Sequence, residues 1–481
     1  MLFILLWSLF CVMLLALPFV SLYLINVPEW LFLLVNICFI ILFFFIAIKR
    51  KKIQSKIIFG AATFLCTAAS ILSCFCNPYR NSLVYKINAD YSSNPGDMKL
   101  SGKEALKDLS CAIYIVKTRH PAAYHGLSDE ILQKYEEEKK SLSEMEQITI
   151  YDLNHRIESI LSHLHDGHTS VQISRNPYIM KDYRKLKRNG WNLTQVNGIS
   201  KEDLLKKYAD YYSYETDSWQ WVLLENDLMT TDGLKYLGIT PENGVNYIFQ
   251  KNKDTLNKSY VISDFLSYEE YLAYYEEQSE EDYYYEIDTK RSLAVLHLKT
   301  CNDDKEYRTL LKKMFQEVKE KKLQNVAVDL RGNTGGDSGV ANEFIRYLNQ
   351  DTYQDGGMKW RLGWFMRNYP SETIENEKIK DLTFHGNVFL LTDSDTFSSA
   401  MMFAQIIKDN HLGTLIGEAP GNDPNGYGEI AYFSLPHSHL ILSVSTKQFL
   451  RINQKTDDFL VEPDIKCSSN DAMKCLYENC Q

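Results

Sequence analysis

The sequence has no excess of positive charge, is not apolar throughout, and lacks a Cys-x-x-Cys pair. Its 481 residues include 52 basic and 62 acidic ones, and an acidic surface excludes nucleic acid as the main partner. The mean hydropathy of -0.28 excludes a polytopic membrane protein over the whole length. The cysteine spacing does not indicate a zinc site. The length exceeds that of one ordinary domain.

Apolar residues are concentrated at the start of the chain. Residues 1–25, 30–48 and 57–76 form three apolar runs, each close to the roughly 20 residues that a helix needs to cross a bilayer. A cleaved signal peptide is disfavoured, because the first run has no basic start and another apolar run follows at once. We therefore predict a membrane anchor of three transmembrane helices over residues 1–76, with the lipid bilayer as its partner.

The side of the membrane follows from the basic cluster Lys49–Lys52, which lies between the second and third runs. Basic loops tend to be cytoplasmic. The sequence thus predicts a multi-pass protein of the cell membrane, with every residue after Cys76 on the extracytoplasmic side.

The rest of the chain divides by composition and periodicity. We predict a linker at 77–102, a helical subdomain at 103–175, a Tyr- and acid-rich insert of uncertain fold at 176–290, an α/β core at 291–470 and a tail at 471–481. The insert is typical of a solvated acidic surface with half-buried tyrosines. In the core, predicted strands (293–298, 326–330, 387–392, 414–416 and 440–444) alternate with predicted helices (307–321, 339–348 and 398–408), which favours crossover connections. Cys467 and Cys475 close a short loop, and their pairing stays open.

Two strand-to-helix junctions in the core carry residues suited to chemistry. The first is the loop 331–336, in which three glycines allow the backbone to approach a ligand closely. Its N–H groups could form an anion site or an oxyanion hole, although a plain tight turn is the simpler interpretation. The phosphate-loop pattern Gly-x-x-x-x-Gly-Lys-Ser/Thr is absent there.

At the second junction, Ser398 begins a predicted helix. A serine there is usually a cap, but the helix N-terminus would also suit a nucleophile that attacks a carbonyl group. The hydroxyl then needs a base. His168 is the best candidate, because it follows a helix behind Gly167 and a neutral imidazole has a suitable proton affinity.

Several motifs together resemble the carboxyl-terminal-processing (tail-specific) serine peptidase family, in particular its tricorn-core-like branch. They are Asp-Gly-His-Thr-Ser at 166–170, Val-Asp-Leu-Arg-Gly-Asn-Thr-Gly-Gly at 328–336, Thr-Phe-Ser-Ser-Ala at 396–400, Gly-Glu at 417–418, Leu-Pro-His-Ser at 435–438 and Val-Glu-Pro-Asp at 461–464. The resemblance covers roughly residues 105 to 470. It implies a crotonase/ClpP-like α/β fold, a peptide or protein substrate, and no cofactor or metal.

The resemblance also implies roles for individual residues. Ser398 matches the nucleophile, His168 the base, and the backbone N–H groups of Gly335 and Ser399 the oxyanion donors. Asp457 takes the place nearest to the acidic residue of the triad. The lysine of the serine–lysine branch is missing from the stretch around 420–424, so the activity would depend on His168.

Three functions remain open on the sequence alone. The first is a membrane-anchored serine peptidase. The second is a catalytically inactive ectodomain on the same fold that binds peptide or lipid. The third gives the main role to the membrane spans, as a sensor or an assembly platform.

Overall fold

The computed structural model of the chain describes residues 2–23, 29–49, 52–86, 88–173, 178–274 and 282–480. Parts of three predicted features lie outside the described residues. These are the break between the first two apolar runs at 26–28, Arg50 and Lys51 of the basic cluster, and residues 280–281 of the acidic run.

The three apolar runs form helices α1 (Leu2–Tyr23), α2 (Glu29–Lys49) and α3 (Ile53–Cys76). Among the described residues, one helical segment, Ile53–Leu72, is long and apolar enough to cross a membrane, and Ile4–Leu14 and Leu33–Lys49 are shorter apolar segments. One crossing helix therefore has weak support, and three spans stay a prediction.

A helical subdomain follows the anchor. Its elements are β1 (Lys99–Ser101), α4 (Gly102–Arg119), α5 (Asp129–Glu144), β2 (Gln147–Thr149), α6 (Ile150–Leu161) and β3 (Ser170–Gln172). Apolar residues at spacings of three and four place Leu153, Ile157 and Ile160 on the buried face of α6. The helix starts because the Thr149 side chain accepts a hydrogen bond from the Asp152 N–H.

Residues 178–274 form a small α/β unit instead of a merely solvated surface. Its elements are β4 (Ile179–Met180), α7 (Tyr183–Arg188), β5 (Asn192–Val196), β6 (Ile199–Ser200), α8 (Lys201–Lys207), α9 (Asp217–Leu228), α10 (Thr231–Tyr236), β7 (Val245–Lys251), β8 (Asp254–Tyr260), β9 (Phe265–Leu266) and α11 (Tyr268–Tyr274). The strand order β6-β5-β7-β8 gives an antiparallel sheet. Its core buries Tyr208, Tyr247 and Phe249, so these aromatic residues are packed inside the unit.

The α/β core occupies the rest of the chain. Its elements are β10 (Tyr283–Asp288), β11 (Leu293–Leu298), α12 (Lys305–Glu320), β12 (Asn325–Asp329), α13 (Gly339–Ile345), β13 (Thr352–Asp355), β14 (Met358–Leu362), β15 (Phe365–Tyr369), β16 (Glu372–Glu375), β17 (Asn387–Thr392), α14 (Ser399–Asp409), β18 (Thr414–Gly417), β19 (Tyr427–Ser434), β20 (Ile441–Phe449), β21 (Ile465–Lys466) and α15 (Ala472–Asn479). The predicted strands and helices of this part form within a few residues of their expected bounds.

Two sheets of the core position the site. The first has the order β10-β11-β12-β17-β18-β21 and is parallel except for β10. Helices α12, α13 and α14 cover one face of this sheet, and α15 covers the other. The second sheet has the order β15-β14-β20-β19, and β3 of the helical subdomain pairs with β20.

Candidate active site

The two junctions predicted from the sequence meet at one edge of the parallel sheet. Strands β12 and β17 are neighbours, with Asp329 opposite Leu391. The loops that leave their carboxyl ends are therefore adjacent. Asp393 connects them, because its Oδ1 accepts hydrogen bonds from the Gly332 N–H at 3.0 Å and the Thr396 N–H at 3.1 Å. Burial, together with the nearby Asp395, raises the pKa of Asp393 to about 6.

Ser398 has a strained backbone at the start of α14. Its φ is 54° and its ψ is -125°, a region that L-residues rarely adopt. The Ser398 N–H donates a hydrogen bond to the Asn422 Oδ1 at 3.0 Å, and Asn422 is buried. Strain of this kind clusters at functional sites when neighbours enforce it.

Gly335 allows the glycine loop to reach Ser398. A Cβ at Gly335 would lie 2.7 Å from the Ser398 Cβ and 3.0 Å from the Ser399 nitrogen. Its φ of 107° also favours glycine. Close approach of the backbone is thus the reason that this position is a glycine, and the loop is more than a tight turn.

The geometry does not support one of the two oxyanion donors implied by the resemblance. The Gly335 N–H donates to the Asn333 Oδ1 at 2.8 Å within the loop, which argues against Gly335 as an oxyanion donor. The next residue, Gly336, is exposed. The Ser399 N–H lies in the first turn of α14, where the helix provides no acceptor. The Ser399 Oγ donates to the Gly336 carbonyl at 2.7 Å and holds the two backbones together.

His168 lies beside the residue that precedes Ser398. The centroids of the His168 and Phe397 rings are 4.6 Å apart, and Phe397 in turn stacks on Trp219 at 3.7 Å. The histidine side chain is 7% exposed, yet neither of its ring nitrogens has a hydrogen-bond partner among the described residues. The pairing of β3 with β20 fixes its backbone, because the His168 carbonyl accepts a bond from the Ser443 Oγ at 2.9 Å.

Asp166 is the carboxylate that lies next to this imidazole. Its Oδ1 accepts the His168 N–H at 2.9 Å and lies 3.7 Å from the His168 Nδ1. Its Oδ2 accepts bonds from the His120 Nε2 at 2.9 Å and the Thr169 Oγ1 at 2.6 Å. Burial opposes ionisation of Asp166, but the hydrogen bond from His120 and the proximity of the His168 imidazole outweigh it and hold the pKa of this carboxyl well below its usual range.

Asp457 is not placed beside His168. It is exposed, and the hydrogen bonds and ion pairs found among the described residues do not connect it with the imidazole. A carboxylate that orients a base is normally buried against it. The geometry therefore does not support the implied triad role of Asp457, and the carboxylate that lies beside the imidazole is Asp166 of the Asp-Gly-His motif.

Glu215 is a residue of the site that sequence reasoning missed. Both of its carboxylate oxygens are buried without a hydrogen-bond partner in the described part of the chain, and one ligand atom from each of Asp166, His168 and Glu215 lies within 4.8 Å of the others. Burial, and then the charge of Asp166, raise the pKa of Glu215 well above its usual range. No local pattern in the sequence indicated this residue, because Glu215 belongs to the insert that was expected to be a solvated acidic surface.

Other predicted features lie outside this cluster. Lys447 pairs with the Glu429 Oε2 at 2.9 Å. Cys467 and Cys475 are free thiols, and burial, followed by the neighbouring Cys475, raises the pKa of Cys467 to about 12.

Comparison with known proteins identifies a matching family and a similar fold. Residues 292–467 match the profile of peptidase family S41. No curated protein matches the chain in sequence. The fold is similar to mature CPAF in complex with lactacystin, with a TM-score of 0.53, 12% identity, and coverage of 78% of this chain and 96% of that one.

Two further solved structures are similar. Mature CPAF alone gives a TM-score of 0.51 at 12% identity, covering 78% of this chain and 95% of that one. The photosystem II D1 C-terminal processing protease gives a TM-score of 0.44 at 12% identity, covering 76% of this chain and 93% of that one. At these identities the likeness to the solved structures concerns the fold.

Proposed function

We propose that the chain is a membrane-anchored serine peptidase in which Ser398 attacks the peptide carbonyl. Residues 292–467 match peptidase family S41, a family of serine-type peptidases. This match confirms the family that the sequence motifs resemble, and the use of His168 as the base is part of the proposal. The observation that carries the proposal is the enforced backbone of Ser398 at the N-terminus of α14. A conformation of this kind costs about 1–3 kcal/mol, which a simple helix cap does not require.

His168 is the proposed base. A serine hydroxyl is almost fully protonated near neutral pH and needs a group that removes its proton. The His168 ring lies against Phe397 and has both nitrogens unpartnered among the described residues. In the proposed mechanism it takes the proton from the Ser398 Oγ during attack and returns it to the leaving amine.

Asp166 is proposed to orient His168 and to stabilise the imidazolium that forms. It stays ionised because of its bond to His120. The separation of 3.7 Å between the Asp166 Oδ1 and the His168 Nδ1 exceeds a hydrogen bond, and catalytic hydrogen bonds are often long without substrate. We expect it to shorten when His168 gains a proton.

The oxyanion of the tetrahedral intermediate is proposed to bind the N–H groups of Ser399 and Gly336. Ser399 follows Ser398 in the chain, Gly336 follows Gly335, whose backbone approaches Ser398, and the bond from the Ser399 Oγ to the Gly336 carbonyl fixes the two backbones relative to each other. The positive end of the α14 dipole adds to this stabilisation.

The anchor is proposed to be residues 1–76, with the catalytic part on the extracytoplasmic side. Large apolar side chains on all three helices are exposed, among them Leu5, Leu33, Phe44 and Phe64. Exposed apolar surface of this extent favours contact with lipid. A reporter that is active only outside the cytoplasm, fused after residue 80, is expected to be active; activity of a cytoplasmic reporter at the same position would contradict this topology.

Covalent labelling tests the catalytic proposal. The full-length protein in detergent is treated with a fluorophosphonate, and peptide hydrolysis is measured in parallel. We expect Ser398→Ala to abolish both, and Ser394→Ala, in the same loop, to retain both. If the wild-type protein does not label, or if Ser398→Ala labels equally, the proposal fails and the inactive peptide- or lipid-binding ectodomain becomes the better interpretation.

A further inference from the structure

We propose that Asp166, His168 and Glu215 form a binding site for a divalent metal ion of the zinc class, and that the bound metal inhibits the peptidase. The metal site is argued from its own geometry. The inhibitory consequence rests on the proposed function, because it requires His168 to be the base.

The geometry provides three ligands at short range. One ligand atom from each residue lies within 4.8 Å of the other two. Asp166 is fully buried and His168 is 7% exposed. Both ring nitrogens of His168 and both carboxylate oxygens of Glu215 lack partners among the described residues. Buried polar atoms are nearly always hydrogen-bonded, so the unpartnered atoms on two side chains of this cluster indicate a site that binds a ligand.

Charge balance favours a doubly charged cation. Two ionised carboxylates and a neutral imidazole around a divalent ion give a net charge of zero, and carboxylate ligands bind a metal in their deprotonated form.

The donor set identifies the class of metal. One imidazole nitrogen and two carboxylate oxygens are ligands that Zn²⁺ and Co²⁺ accept in four-coordinate sites. Mg²⁺ and Ca²⁺ prefer oxygen ligands alone and a larger number of them. We therefore expect Zn²⁺ to bind in preference to Mg²⁺ and Ca²⁺.

The consequence for catalysis does not depend on which ring nitrogen binds. Neutral imidazole has a single nitrogen lone pair that can accept a proton or bind a metal. When a metal occupies it, the other nitrogen carries the hydrogen, and His168 cannot take the proton of Ser398.

Metal binding can be measured on an inactive variant, because the measurement does not require peptide hydrolysis. Tag-free, full-length Ser398→Ala in detergent is titrated with ZnCl₂ by calorimetry, and Co²⁺ is followed by its visible absorption. We expect one ion per chain. Adding Glu215→Gln should weaken Zn²⁺ binding at least about tenfold, because even the loss of a residue that only hydrogen-bonds to a metal ligand lowers the affinity that much. Glu343 is a buried glutamate of α13 that pairs with Arg346, and adding Glu343→Gln should leave Zn²⁺ binding unchanged.

Two results would overturn the metal site: no saturable Zn²⁺ binding, or equal affinity in the Glu215→Gln and Glu343→Gln proteins. If Glu215→Gln unfolds, as judged by its melting temperature, His168→Ala replaces it and must weaken binding as much. The two proposals fail separately. A protein that binds Zn²⁺ but never labels with fluorophosphonate contradicts the peptidase, whereas an active enzyme that does not bind Zn²⁺ contradicts only the metal site.

Discussion

The two halves of the candidate site are built in different ways. The nucleophile side (residues 329–336 and 393–399) comes from loops after two neighbouring parallel strands, so one sheet edge fixes it. The base side (residues 166–170 with Glu215 and Trp219) comes from the helical subdomain and the insert. It reaches the core through β3, which pairs with strand β20, and through the Trp219–Phe397 stack. The nucleophile side is thus fixed within one sheet of the core, whereas the position of the base depends on packing between different parts of the chain.

The largest expected effect is that of replacing Asp166, the carboxylate beside His168. Asp166→Asn should lower kcat about 10²–10⁴-fold, the usual contribution of a positioned acid–base pair, because His168 loses its ionised partner. Asp457→Asn is the matched control and should change kcat less than about twofold, since exposed substitutions rarely matter. Peptide hydrolysis by the two variants measures this. The reverse order of effects would restore Asp457 to the triad.

A methyl group on the nucleophile side should have the next largest effect. Gly335→Ala places a Cβ 2.7 Å from the Ser398 Cβ and should reduce kcat about 10²–10³-fold by displacing the oxyanion donors. Gly332→Ala is the control, because its φ is also positive but no atom lies within 4 Å of the added Cβ. It should lose stability through backbone strain and keep its kcat. Equal kcat values for the two variants would contradict the close approach of loop and serine.

The stability of the base side should depend on pH through Glu158. This buried carboxylate of α6 accepts the N–H of Val171 in β3, and burial raises its pKa from 4.5 to about 8. The folded chain then holds a proton that the unfolded chain has lost, so the free energy of unfolding falls as pH rises from 4.5 towards 8.

Glu158→Gln should remove this part of the slope, which amounts to about 2 kcal/mol between about pH 6.5 and pH 8. Asp227 and Asp393, with pKa values of about 6, have mostly ionised below this window. Urea unfolding of the wild-type protein and the variant at both pH values measures the difference. Parallel pH dependences would show that Glu158 is not protonated in the folded protein.

The smallest expected effect is a gain in stability on the nucleophile side. Ser398→Gly should raise the free energy of unfolding by about 1 kcal/mol, because glycine adopts a positive φ without strain. Ser398→Ala keeps the strain and should not be stabilised. Thermal unfolding of both inactive variants makes the comparison; a lower melting temperature for Ser398→Gly would mean that the Ser398 backbone is not strained.

The sequence predicted the strands and helices of the nucleophile side well because their signals are local. Strand, glycine loop and helix follow one another within about ten residues, and parallel strands bring such junctions to one edge. The partner of Ser398 was missed, since Asn422 has no pattern that indicates a bond to a backbone N–H 24 residues away.

The base side was predicted only as a motif. The Asp-Gly-His segment indicated His168, but the burial of Asp166 against His120 depends on a contact 46 residues apart along the chain. Glu215 lies in a stretch whose composition favours solvent exposure, and tertiary packing overrides that preference. Gly335 was expected to be an oxyanion donor, but its N–H donates a hydrogen bond to the Asn333 side chain, a contact that no sequence pattern indicated.

An experimental structure of the fluorophosphonate-treated protein would show whether the nucleophile side and the base side form one active site. We expect phosphorus bonded to the Ser398 Oγ and a phosphoryl oxygen within hydrogen-bond distance of the Ser399 and Gly336 N–H groups. We also expect the His168 Nε2 within about 2.6–3.2 Å of the adduct or of the Ser398 Oγ. An adduct on another residue, or a His168 ring turned away from Ser398, would contradict it.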